Sequence, residues 1–112
     1  VEIRPDDAAL VMTHNLDHDR LAIEALLGSP PAYLGVLGPK LRTAGILASI
    51  AARAGPIPAA ALARLYGPAG LDIGAEGPEE IALAIVAEIR AVLARRPGGP
   101  LREHAGPIHE RR

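Results

Sequence analysis

Residues 8–54 read AALVMTHNLDHDRLAIEALLGSPPAYLGVLGPKLRTAGILASIAARA, and two short apolar runs in this stretch, each followed by a helical pattern, decide the fold. Ala8 to Thr13 (AALVMT) and Ala32 to Leu37 (AYLGVL) are continuous rather than alternating in polarity, the pattern of strands buried on both faces. Behind the first, His14 to Asp17 is a polar turn in which Asn15 or Asp17 can cap a helix over Asp17 to Leu27. With Asp17 as the cap, Leu16 would pack on Leu21 as a hydrophobic staple. Ile23, Leu26 and Leu27 face inward, and Gly28-Ser29-Pro30-Pro31 ends the helix. Behind the second run, Gly38-Pro39 opens a helix over Lys40 to Ala54, with an expected core stripe of Leu41, Ala44, Leu47, Ala48 and Ala51. Strand, helix, strand, helix implies parallel strands joined by a right-handed crossover, and therefore an α/β fold.

Downstream, Ile57 to Tyr66 holds a short helix starting near Pro58, with Leu62 and Leu65 inward. Gly67 to Gly77 is a Gly-rich loop with a very short third strand expected around Leu71 to Ile73. Pro78 to Arg96 is the longest helical pattern. Pro78 suits the first helical position, Glu79 and Glu80 the positive end of the dipole, and Arg95 and Arg96 the negative end. Pro97 and Gly98 are expected to stop it, and Ile81, Ala84, Ile85, Ile89 and Val92 to form its apolar stripe. Glu88 falls on that stripe, so it needs a basic residue or backbone N–H groups opposite it. Glu24 reads as solvated. Pro97 to Arg112 is a Pro/Gly-rich basic tail, expected to be extended and partly mobile, in which His104 and His109 flank Gly106-Pro107.

The 112 residues suit one domain. Aromatics make up only 2% against 49% hydrophobic residues, so the core must be packed from Ala, Leu, Ile and Val. Net charge is −1, which gives no general attraction to nucleic acid, and so few rings leave no stacking platform for bases. With no cysteine, disulfides and thiolate metal sites are excluded. No apolar run approaches the roughly 18 residues of a membrane helix and no signal peptide is evident, so a cytoplasmic protein without membrane contact is expected. A sheet of two or three parallel strands is small. We expect an exposed edge beside the Ala8–Thr13 or Ala32–Leu37 strand to be covered by a second chain, giving a homo-oligomer or, as the resemblance described below implies, a pairing with a missing upstream half.

Ligands of parallel α/β sheets bind beyond the C-terminal ends of the strands, so the residues after each apolar run are the candidate site. Three groups are expected to converge there: Thr13-His14-Asn15 with Asp17; Gly38-Pro39-Lys40 with Arg42; and Gly70, Asp72 and Gly74. Gly38, Lys40 and Arg42 unite a helix N-terminus with two cations, which suits a phosphate, although a βα turn with solvated basic side chains fits the same residues. His14 can exchange a hydrogen bond or a proton with a ligand, or cap the strand end. Its spacing from His18 suggests a zinc pair only weakly, because a turn intervenes and no third ligand is evident. Asp72 can hydrogen-bond a ligand's donor groups, or brace its own loop. No catalytic triad, paired carboxylates in a defined frame or P-loop is present, so binding groups stand without a nucleophile.

Three segments in order, VMTHN, YLGVLGPKLRT and PAGLDIGAEGPEEIALAIVAEI, resemble the C-terminal part of the XdhC/CoxI family of molybdenum-cofactor maturation factors, over roughly Ala8 to Leu93. The resemblance implies a Rossmann-like three-layer fragment with a small parallel sheet flanked by helices, spanning residues 1–96, with the Gly-rich dinucleotide half lying upstream and 97–112 as a tail. Lys40 and Arg42 take the basic positions of the family's G-S/P-R-x-[KR] pattern, while Leu41 is apolar where many relatives carry another basic residue. Asp72 matches the P-x-G-L-D-I-G-A pattern, and Gly77 replaces the usual capping Thr before Pro78. GPIHE echoes a terminal segment of some relatives. The function implied is noncatalytic: binding molybdenum cofactor (molybdopterin) and delivering it to a xanthine dehydrogenase or carbon monoxide dehydrogenase-type apoenzyme, with a sulfurase as a further partner. Lys40 and Arg42 would contact phosphate, and His14, Gly38, Gly70, Asp72 and Gly74 would complete the pocket. Two alternatives stand beside it: an NAD(P)-binding oxidoreductase domain or remnant, disfavoured by the absence of G-x-G-x-x-G, and a ligand-free dimerisation or interaction fragment.

Overall fold

A computed structural model describes residues 2–29 and 31–108. Its elements in chain order are β1 (Ala8–Val11), α1 (Leu16–Leu27), β2 (Tyr33–Val36), α2 (Lys40–Ala54), α3 (Ala59–Leu62), β3 (Leu65–Tyr66), α4 (Pro78–Leu93) and a 3-10 turn, Leu101–Glu103. The strands form one parallel sheet in the order β1-β2-β3, with Leu10 opposite Gly35, Val11 opposite Val36, Leu34 opposite Leu65 and Gly35 opposite Tyr66. Period-two alternation then divides the side chains between two faces.

Leu34 and Val36 of β2 point to one face, where they cluster with Val11, Ile23 of α1, and Ile46 and Ile50 of α2, with Leu65 and Ile57 packed alongside. Tyr33, Gly35, Leu10 and Tyr66 share the other face by register, and it is α4 that covers it: the Tyr33 hydroxyl reaches Glu88. Helices on one side, the sheet, and a helix on the other make the expected three layers. All four β2 residues are buried, which explains the continuous apolar run.

Several expectations shift in register. The third strand is Leu65–Tyr66 and not Leu71–Ile73: Leu71 N–H is claimed by Ala84 O of α4, and Ile73 N–H folds back onto Leu71 O. With positive φ at the flanking Gly70 and Gly74, that segment is a loop. Consequently β2 is central, and the open edges belong to β1 and β3 rather than to β2. Helix α2 buries Thr43, Ile46 and Ile50, while Leu41 is 86% exposed. Both sets repeat at helical spacing, and the bulky Ile46 and Ile50 fill the space under the sheet better than an alanine stripe would. Ala61, not Leu62, is the buried residue of α3.

The caps also resolve. Asn15 Oδ1 accepts from His18 N–H at 2.9 Å, so Leu16 lies inside α1 and forms no staple with Leu21; both are 56% exposed. Helix α4 stops at Leu93 without waiting for Pro97. Arg95 takes φ 58°, Arg96 N–H bonds Ala91 O and Arg95 N–H bonds Val92 O, a Schellman ending with an arginine in the position glycine usually fills. Arg96 then bridges His104 and Ile108 O, so the described part of the tail folds back through a 3-10 turn rather than running extended. His109 lies outside the described residues. Glu24 pairs with Arg53 across α1 and α2 rather than standing solvated. Arg64, which no sequence signal marks, donates to the carbonyls of Leu27 and Ser29 at the end of α1 and to Pro31 O before β2.

Gly35 is where the sheet needs a missing side chain. A Cβ there would lie 2.6 Å from Cε1 of Tyr33 and 2.9 Å from Cδ1 of Leu10. The Tyr33 ring is held between Tyr66 and its own hydroxyl bond, so it cannot swing aside freely. Gly35→Ala is therefore expected to destabilise the fold by about 1–3 kcal/mol through overpacking. Urea unfolding measures it, and an unchanged midpoint would contradict this packing.

Candidate functional site

At the C-terminal end of β2 the Gly-rich loop turns back over α4. Ala69 N–H bonds Val36 O at 3.0 Å, and Gly70 N–H donates to Glu88 Oε1 at 2.8 Å. Gly70 adopts φ +117°, and a Cβ there would press on Ala84 at 3.3 Å, so the loop lies against the helix because glycine lets it. Behind the loop, Tyr33 Oη donates to the same Glu88 oxygen at 2.6 Å. Glu88 is thus the partner-seeking carboxyl expected on the stripe of α4, its Oε1 satisfied by a backbone N–H and a phenol. Burial, reinforced by the bond to Glu88 and its negative charge, pushes the Tyr33 phenol far above its ordinary value, so Tyr33 stays a donor throughout the accessible pH range.

The loop, α4 and the start of α2 enclose a cleft of about 590 Å3, within the range of small-molecule sites. Lys40, Tyr66, Asp72 and Glu88 line it, along with backbone from Gly67 to Ala75. Tyr66 is stacked on Tyr33 with centroids 4.6 Å apart and planes 9° from parallel. The cleft therefore offers a flat ring, an ammonium, two carboxyls and a bent Gly-rich backbone. At the start of α4, Glu80 accepts from Glu76 N–H at 3.0 Å and from Gly77 N–H at 3.4 Å. Those backbone bonds hold the Glu80 carboxyl below its usual value and order the start of α4 in place of the missing capping hydroxyl.

Of the residues expected at the site, Lys40, Gly70, Asp72 and Gly74 share this cleft. Gly38, Arg42 and His14 do not line it. His14 stands exposed in the turn after β1. Arg42 turns instead to Asp19, at 2.6 Å, and borders a separate groove of about 350 Å3 with Leu16, Arg20 and Leu41. Its charge is committed to a carboxylate that is 0% exposed. Sequence reading missed Asp19, Tyr66 and Glu88 as parts of this region. Asp19 sits one turn after the Asn15 cap and looks solvated until Thr13 folds back on it, whereas Glu88 carried a signal, an acid on an apolar stripe.

Burial by itself would raise the Asp19 carboxyl. Bonds from the Thr13 hydroxyl and N–H and the Arg42 guanidinium outweigh it and hold the group below its ordinary value. A carboxyl depressed in the folded state stabilises the protein above its unfolded value of 3.8, and that contribution disappears as pH falls through the lower folded value. Asp19→Asn should therefore cost most near neutral pH, about 3–5 kcal/mol for a broken buried pair, and the gap to wild type should close in acid. Thermal unfolding followed across an acid titration reads this, and a gap that stays constant with pH would contradict it.

Comparison with known proteins places this geometry. A family model described as the XdhC Rossmann domain matches residues 2–89. The chain is 45% identical over 85 residues to a probable xanthine dehydrogenase subunit of Bacillus subtilis (strain 168), covering 76% of this chain and 23% of that protein. It is 36% identical over 107 residues to the uncharacterised protein YqeB of Escherichia coli (strain K12), covering 96% of this chain and 19% of that one. Among solved structures, a protein named as a xanthine dehydrogenase from Bacillus halodurans superposes with a TM-score of 0.69 at 39% identity, over 85% of this chain and 27% of the other. The chain spans about a fifth of the length of the curated relatives it matches. With the family model covering most of the sequence and a small parallel sheet flanked by helices, this chain belongs to the XdhC family, as its Rossmann domain.

Proposed function

We propose that this domain binds the pterin part of molybdenum cofactor in the Lys40–Glu88 cleft and serves the maturation of a xanthine dehydrogenase-type molybdenum hydroxylase, without catalysing a reaction itself. The observation that carries the reading is the cleft: one cation at the mouth, a stacked tyrosine in the wall and a Gly-rich loop that brings backbone close to an occupant. Lys40 is the first residue of α2, whose Pro39 cap provides no side-chain bond; with Arg42 and Thr43 N–H already donating to Pro39 O, the Lys40 N–H remains beside the ammonium for a phosphate. The names of the relatives, which mention xanthine dehydrogenase, support the choice of apoenzyme.

The residues fit the group in a specific way. The chain has no cysteine, and among the described residues no group of three His, Cys, Asp or Glu could hold a metal. Bound cofactor would supply a dithiolene that already carries its molybdenum, so the protein needs to grip only the organic part. Lys40 would pair with phosphate, Tyr66 would cover the ring, and the loop around Asp72 would close over it. No helix among the described residues is long and apolar enough to cross a membrane.

Equilibrium binding of released molybdopterin to wild type and to Lys40→Ala tests the site. A loss of affinity of about tenfold is expected for removing a charge-assisted phosphate contact. Arg42→Ala should weaken binding less, since that guanidinium is engaged by Asp19. Equal affinity of wild type and Lys40→Ala would remove Lys40 from the site.

A second reading, assembly through the sheet, is favoured by the open side of β1, where Ala8 and Leu10 are exposed and Met12 beyond it is 57% exposed. Parallel sheets are normally covered at such edges. Light scattering at micromolar concentration is expected to show a dimer, and a monodisperse monomer would refute pairing between copies.

A further inference from the structure

Glu88 is held as few surface carboxyls are. Both of its bonds, from Tyr33 Oη at 2.6 Å and Gly70 N at 2.8 Å, fall on Oε1. Oε2 has no partner among the described residues, and the half-buried side chain lines the cleft. Left without a protein donor and not shut away from solvent, that oxygen is open to accept an N–H or O–H from whatever enters the cleft. Because its other oxygen is clamped from a strand and a loop, it presents that acceptor without losing rotamer freedom on binding. Asp72 differs: it is exposed on the loop and free to turn to solvent.

Two other surfaces of the cleft restrict the occupant further. One face of the Tyr66 ring is taken by Tyr33 in a near-parallel stack, and the remainder of the ring borders the cleft, a flat apolar surface for a planar heterocycle. Lys40 supplies the positive charge. A ligand that satisfies all three carries an aromatic ring, an anionic group, and amino or ring N–H donors on one edge.

We propose that Glu88, through Oε2, is the acceptor that reads the amino-bearing edge of a 2-amino-4-oxopyrimidine ring, the edge common to pterins and guanine. This rests on the cleft reading above and adds to it a binding residue and a selectivity. Heterocycles with the 2-amino group are held ahead of those without it, because the latter lose the amino donor and leave Oε2 only the ring N–H to accept from. Adenine, with no 2-amino group, is likewise disfavoured.

Equilibrium titration of the 112-residue chain with GMP, IMP and AMP tests the selectivity, since GMP and IMP differ only in the 2-amino group. GMP is expected to bind roughly tenfold tighter than IMP, by analogy with sites built to bond a substrate donor. Glu88→Gln keeps an amide oxygen for Tyr33 and Gly70 but turns the cleft-facing acceptor into a donor, so the preference for GMP should vanish while the weak affinity for IMP persists. The wild-type comparison needs no variant, so it decides even where the substitution loosens the fold. Equal affinity for GMP and IMP, or a preference that survives Glu88→Gln, overturns the assignment of Glu88 and leaves the cleft reading intact. No binding of any of the three nucleotides at millimolar concentration overturns both.

Discussion

One carboxyl oxygen, Glu88 Oε1, ties together the parts of this domain that could otherwise drift apart. Through it the central strand, by way of Tyr33, and the Gly-rich loop, by way of Gly70, are fastened to the last helix. Hydrogen bonds to a charged group stabilise by about 1.5–3 kcal/mol each, and an unsatisfied buried carboxyl costs more than that. Gly70 and Tyr33 lie 18 and 55 residues from Glu88 in sequence, so the knot closes only when the sheet and α4 are already assembled. It therefore acts on specificity of arrangement as much as on stability, fixing where the loop can lie.

The two faces of the sheet consequently have different duties. Leu34 and Val36 look into a core of branched aliphatic side chains that any close-packed α/β domain would recognise as its own. Tyr33, Gly35 and Tyr66 look the other way, and with only two aromatic residues in the chain, both are placed on this face and stacked together. Gly35 has no side chain because the Tyr33 ring occupies that space. Both rings are thus kept to the α4 face of the sheet, Tyr33 fully buried there and Tyr66, stacked on it, bordering the cleft.

Much of this was readable from residue order. The two apolar runs, the full span of α2 and the start of α4 follow from continuous hydrophobicity bounded by Gly and Pro. The carboxyl on the α4 stripe announced its need for donors. What could not be read were choices between equivalent local patterns. Helix α2 carries apolar residues at helical spacing on two faces, and only contact with the sheet selects Ile46 and Ile50 over Leu41. Leu71 to Ile73 has strand-like composition, but its N–H groups are claimed by α4 and by its own turn. Arg42 looks like a free cation beside Lys40 until Thr13 and α1 bring Asp19 under it, a contact set by tertiary folding across 23 residues of chain.

That last pairing determines the electrostatics of the site. With Arg42 neutralised by Asp19, the cleft holds one ammonium against the carboxyls of Asp72 and Glu88, so its fixed charge does not favour an anion by itself. A bare phosphate approaching Lys40 would meet attraction from the ammonium and repulsion from the carboxyls that share the cleft, and at a solvent-exposed rim such terms are screened to within about 1 kcal/mol. Tight binding must then come from a ligand whose ring pairs with a carboxyl while its anionic end meets the lysine, so that each charge in the cleft finds its opposite in one molecule. A site balanced in this way would discriminate against simple anions and against neutral rings alike, as the proposed binding of a phosphorylated heterocycle requires.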